Sequence, residues 1–99
     1  MKQFIYVLKL KPSLQVAENW TKMDEISVNN HFNKLKVLLS EKKLVLAGKT
    51  DGLNQDTFGL VILEVNSEEE AREVMLSDPA VADGVMTATL YPYSVALMR

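Results

Sequence analysis

Ninety-nine residues, 47% of them hydrophobic and 24% charged, describe one ordinary globular domain with a modest core. A formal net charge of −2 offers no basic footprint for nucleic acid, and the absence of cysteine removes disulfides, thiolate zinc sites and a cysteine nucleophile. The opening apolar run is broken by Lys9 and Lys11, too early for a signal peptide, and nothing has the length of a membrane span, so a cytoplasmic protein is expected.

Phe4 to Leu10, rich in aromatic and β-branched residues, reads as a first strand. Residues 12–23 read as a loop or short irregular segment whose only large apolar anchor is Trp20. Asp24 to Lys43 reads as the first helix, with Val28, Phe32, Leu35 and Leu39 as the buried stripe and Leu38 widening it. Lys34, Lys36, Lys42 and Lys43 fall on the remaining surface or near the C-terminal end, where the helix dipole favours cations. Leu44 to Ala47 is a short strand ended by Gly48, residues 49–56 form a polar loop, and Thr57 to Val65 is a third strand. Ser67-Glu68-Glu69-Glu70 has the spacing of a capping box that opens a second helix. Pro79 disfavours helical backbone in the residue before it, so that helix should end near Asp78. Val85 to Tyr91 reads as the fourth strand, followed by a tail over residues 93–99.

The order β-α-β-β-α-β is that of an α+β, ferredoxin-like sandwich, an antiparallel sheet with two helices on one face. Both faces of its strands are apolar: Phe4, Tyr6 and Leu8 alternate with Ile5 and Val7, and Phe58, Leu60 and Ile62 with Val61, Leu63 and Val65. Helices bury only one face, and an apolar second face is larger than a soluble monomer tolerates. The expectation is a homodimer packed sheet to sheet. The competing explanation is that the Trp20 loop and the tail cover that face.

Two side chains carry chemistry. Asp78 continues the apolar row of Ala71, Val74 and Met75 on the second helix, so its carboxylate points at the interior or at a pocket. His31, the one histidine, follows Val28 by three residues and precedes Leu35 by four, on the flank of the first helix's stripe. With both helices on one sheet face, the two converge across the groove between them. A carboxylate beside an imidazole fixes its tautomer and suits it to proton transfer near neutral pH. The bland alternative is a hydrogen bond that ties two helices together. One histidine with one acid lacks the further ligands zinc requires, so no metal or cofactor is expected. Tyr6 is a candidate for the pocket wall, with core packing as the alternative. Gly48 and Lys49 are candidates for holding a substrate through backbone amides and an ammonium, although a solvated loop lysine is the plainer reading.

His31 followed by Leu35, Lys43-Leu-Val-Leu-Ala-Gly48, Glu68-Glu-Glu-Ala-Arg72 and above all Asp78-Pro-Ala-Val-Ala-Asp-Gly-Val85 with Pro92 beyond resemble the YciI-like (YCII-related) family. The resemblance runs from the first strand to Pro92. It implies a dimeric α/β barrel of ferredoxin-like subunits and a pocket in which a His–Asp pair, matching His31 and Asp78, is the suspected catalytic centre. It also implies proton-transfer chemistry of isomerase or lyase type, dehydrochlorination included, on a small cyclic or aromatic substrate. The chain departs from the family's pattern at Val28, where many relatives carry arginine. It departs again at Lys49, where Ala-Gly-Pro is usual, and at Ala80, where an aromatic often follows Asp-Pro. A non-catalytic metabolite-binding or accessory module, and a purely structural oligomerisation domain, are the competing functions.

Overall fold

The computed structural model describes residues 1–99. The elements are β1 (Lys2–Leu10), α1 (Lys22–Ser40), β2 (Leu44–Lys49), β3 (Gly59–Val65), α2 (Glu68–Ser77), the one-turn α3 (Pro79–Ala82) and β4 (Met86–Tyr93). All three sheet pairings are antiparallel, in the order β2-β3-β1-β4, with β1 and β3 central. Each helical connection therefore crosses over one strand, which makes the ferredoxin-like double split βαβ. Pro92 lies in β4, an edge strand, where a missing backbone donor is tolerated.

Period-two alternation sorts the strands. Phe4, Tyr6 and Leu8 of β1 pair with Leu63, Val61 and Gly59 of β3 and turn toward the helices. With Leu35, Leu38, Leu44, Val65, Ala71 and Met75 these side chains make the core. The second face carries Ile5, Val7, Leu60 and Ile62, and it extends to exposed Leu46 on β2 and Tyr91 on β4. The segment bearing Trp20 does not cover it, because Trp20 stands on the helix side beside His31 and Leu8. The tail is pinned once, by Val95 N–H donating to Gln3 Oε1 at 2.8 Å, and then leaves Leu97 and Met98 in solvent.

Four local expectations are corrected. The buried row of α1 is Ser27, Leu35 and Leu38 with His31 between them, whereas Phe32 and Leu39 are 56% and 57% exposed. Two apolar rows compete on this helix, and the bridges that Ser27 and His31 make to α3 select the row with polar members. Residues 12–23 are more ordered than expected. Pro12–Gln15 and Ala17–Asn19 form 3-10 turns, Leu14 is buried, and Trp20 Nε1 donates to Leu14 O at 2.8 Å. Helix α1 begins earlier, at a Thr21–Asp24 capping box in which aspartate replaces the usual Glu or Gln. Hydrogen bonds from the Thr21 backbone and hydroxyl hold the Asp24 carboxyl below its usual value. At Ser67 the hydroxyl accepts from Glu70 N–H, but the Glu70 carboxylate reaches back to Asn66 N–H instead of Ser67.

The turn from Asp78 to Val85 is built from local signals. Asp78 ends α2 in extended backbone, and its carboxylate accepts the Ala80 N–H to start α3. Pro79 occupies the first helical position, and Gly84, at φ 76°, ends the turn. Val85 N–H donates to Ala80 O and Gly84 N–H to Val81 O, the paired bonds of a Schellman cap. The same pattern closes α1, where Lys43 N–H donates to Leu38 O and Lys42 N–H to Leu39 O. There the left-handed position is Lys42, at φ 62°.

Candidate active site

Asp78 is wholly buried at 0% exposure, under α1 and against β1. His31 Nδ1 lies 2.7 Å from Asp78 Oδ1 and 2.8 Å from Oδ2. Tyr6 donates its hydroxyl to Oδ2 at 2.8 Å, and the Ala80 N–H donates to Oδ1 at 3.0 Å. Both oxygens therefore carry a fixed donor besides the imidazole. A second bridge lies one turn before His31 on α1, where buried Ser27 donates to the Asp83 carboxylate just past α3. Two ties thus fix α3 against α1, and α3 is the turn that carries Asp78.

The structure brings His31 and Asp78 together and separates their environments. His31 is only 12% exposed, and it lines a cavity of about 440 Å³, a size usual for small-molecule sites. A carboxylate only accepts, so Nδ1 carries a proton, and in the neutral ring Nε2 is the nitrogen with the lone pair. Nε2 takes no protein partner and is not among buried orphans, so it is the ring atom left to the cavity. The cavity is mostly apolar, with Leu8, Trp20, Phe32, Leu53, Phe58 and Met86 in its wall. Lys49 and His31 are the ionisable residues in its wall. No third His, Asp or Glu joins the pair, so the donor set remains one imidazole and one carboxylate.

Gly48 and Lys49 lie in the cavity wall at the end of β2. A Cβ on Gly48 would meet nothing within 4 Å, so the fold itself does not require glycine there. The Lys49 ammonium donates to Thr50 O at 2.9 Å and is exposed. Tyr6, expected as a pocket-wall candidate, is not among the lining residues. It shares the helix-facing side of β1 with Leu8, which does line the cavity, but its ring is fully buried and its hydroxyl is taken up by Asp78. Burial, and then the Asp78 charge and the hydrogen bond to it, push the phenol far above its ordinary value. Sequence reasoning missed Trp20 as a wall residue and Ser27 as a tie. Trp20 carried a signal, being the one large apolar side chain in its segment, whereas a serine inside a helix carries none.

This pocket sits on a chain whose sequence matches the YCII-related domain over residues 4–92. The chain belongs to the YCII-related family. Comparison with curated proteins gives no significant match. Among solved structures, it is similar to 5-chloro-2-hydroxyhydroquinone dehydrochlorinase from Burkholderia phenoliruptrix AC1100, solved in complex with 2,5-dihydroxybenzoquinone. That likeness has a TM-score of 0.63 at 20% identity and covers 93% of each chain, so it supports the ferredoxin-like fold of this YCII-related domain.

Proposed function

We propose that this YCII-related protein is a small-molecule enzyme of isomerase or lyase type, in which His31 moves the proton and Asp78 orients it. The observation that carries this reading is the division of the imidazole. Nδ1 is bound to a buried carboxylate and Nε2 is left to a cavity of about 440 Å³. From that cavity Nε2 accepts a proton from an acidic C–H or O–H of the ligand, and Asp78 stabilises the imidazolium that forms. In an isomerase the proton returns at another carbon. In a lyase the C–H electron pair forms the new double bond and the leaving group departs with its own pair.

The wall chemistry narrows the substrate. An apolar cavity whose wall holds one histidine, Lys49 and no acidic residue suits a small cyclic or aromatic molecule. Backbone amides near Gly48 and the Lys49 ammonium hold its oxygen. The structural neighbour's ligand, 2,5-dihydroxybenzoquinone, is a small cyclic molecule and is the first compound to offer.

Trp20, the single tryptophan, lines the cavity and reports occupancy by fluorescence. Ligand titration should quench it in the wild type. Gly48→Ala should weaken binding without unfolding the chain, since its new methyl points into open space. His31→Ala should keep binding and lose turnover of any compound that the wild type converts. Survival of that turnover in His31→Ala overturns the catalytic reading.

The carboxylate's complete satisfaction by protein donors favours a second reading, in which the pair is a tie and the pocket only binds a metabolite. That reading requires Asp78→Asn to lower thermal stability while ligand affinity and all conversion stay unchanged.

We also propose that two copies pair through the second sheet face. Half-buried Ile5, Val7 and Leu60 with exposed Leu46 and Tyr91 form an apolar surface on the side of the sheet away from the helices.

A further inference from the structure

Asp78 has two oxygens and three donors. The His31 Nδ1–H stands between the oxygens at 2.7 and 2.8 Å. The Ala80 amide is fixed to Oδ1 by the turn itself, so its hold comes with the backbone. The Tyr6 hydroxyl on Oδ2 is different, since it reaches across 72 residues of sequence from the central strand. Tyr6 touches neither the cavity nor His31 through any hydrogen bond in the structure. A buried phenol with one partner, aimed at the far side of a carboxylate, acts only through that carboxylate.

We propose that Tyr6 is a positioning residue of this site. Its hydroxyl anchors Oδ2 of Asp78 and takes a share of the carboxylate's charge that would otherwise fall on the His31 Nδ1–H. The inference rests on the proton-transfer reading above and adds to it what sets the strength of the Asp78–His31 bond. Two donors on one carboxylate compete, and a hydrogen bond with an ionised partner is about twice as strong as a neutral one, so the share is worth detecting. The phenol's raised value keeps it protonated, and therefore a donor, across the range in which an imidazole titrates.

The test needs no substrate. The chain has one histidine, so the His31 Nδ1–H is a single assignable proton in the low-field NMR spectrum. In Tyr6→Phe that proton should move downfield, because the carboxylate charge then concentrates on it. Replacing the three tyrosines by 3-fluorotyrosine, a stronger donor of nearly the same size, should move it upfield, and it keeps the test alive if the phenylalanine variant folds poorly. Opposite movements in the two proteins support the proposal. A resonance that stays put in both, or moves the same way in both, overturns it and leaves Tyr6 a core residue. If the wild type shows its ring proton on Nε2 instead, the catalytic reading falls as well, so the two failures are told apart.

Discussion

Asp78 shows how much one side chain is asked to do. Its backbone ends α2, its carboxylate starts α3, and the same oxygens hold His31 and Tyr6. Tyr6 makes this network sensitive to alkali. The folded protein binds the phenolic proton more tightly than the unfolded chain, whose tyrosine titrates near the ordinary 10.0. The stability it contributes is whole below that pH and is lost as pH rises above it. Thermal melting of the wild type should therefore fall more steeply between about pH 9 and about pH 11 than melting of Tyr6→Phe, which lacks the titrating group. Equal slopes would show that the phenol is not linked to folding. Asp78 and His31 were legible in the sequence because polar residues stood where helical spacing demanded apolar ones. The second role of Tyr6 was not, because an aromatic in an alternating strand reads the same with or without a partner for its hydroxyl.

At the scale of elements, two Schellman caps differ by one residue. Gly84 holds the left-handed position after α3, and Lys42 holds it after α1. A side chain in that conformation costs about 1 kcal/mol relative to glycine. Lys42→Gly should therefore raise stability by about 1 kcal/mol in chemical denaturation, and Gly84→Ala should lower it by a similar amount. No neighbour lies within 4 Å of a Cβ at Gly84, so backbone strain alone sets that loss. A stability change of the opposite sign at either position would refute the cap assignment. The helix and strand order was legible from periodicity and punctuation, and Pro79 marked the end of α2 within a residue. The rotation of α1 was not. Residues Phe32 and Leu39 offered an apolar row as good as the true one, and only the distant partners Asp78 and Asp83 decide between them. Phe32 is used at the cavity wall instead, with the Lys36 ammonium 4.8 Å from its ring centre.

For the whole molecule, the sheet is the organising surface. One face meets the helices, and its margin opens into the cavity. The other is apolar, with Ile5, Val7 and Leu60 half-buried and Leu46 and Tyr91 exposed in a single chain, as the alternation of Ile5 and Val7 with Phe4, Tyr6 and Leu8 implied. Light scattering at micromolar concentration should give twice the 11.1 kDa chain mass, and a charge placed at Ile5 or Val7 should return it to one. A monomer mass for the wild type would contradict the pairing. The pocket could not be read ahead of the fold, because its wall draws on residues as far apart as Leu8 and Met86, brought together only when β4 closes on β1.

Movement of a proton by His31 is best followed with an isotope. The protein in deuterated water, given small ring compounds with an acidic C–H, should place deuterium at that carbon faster than buffer does. His31→Ala should give only the buffer rate. Uptake that is no faster with the wild type than with His31→Ala, across compounds that demonstrably quench Trp20, would contradict the account.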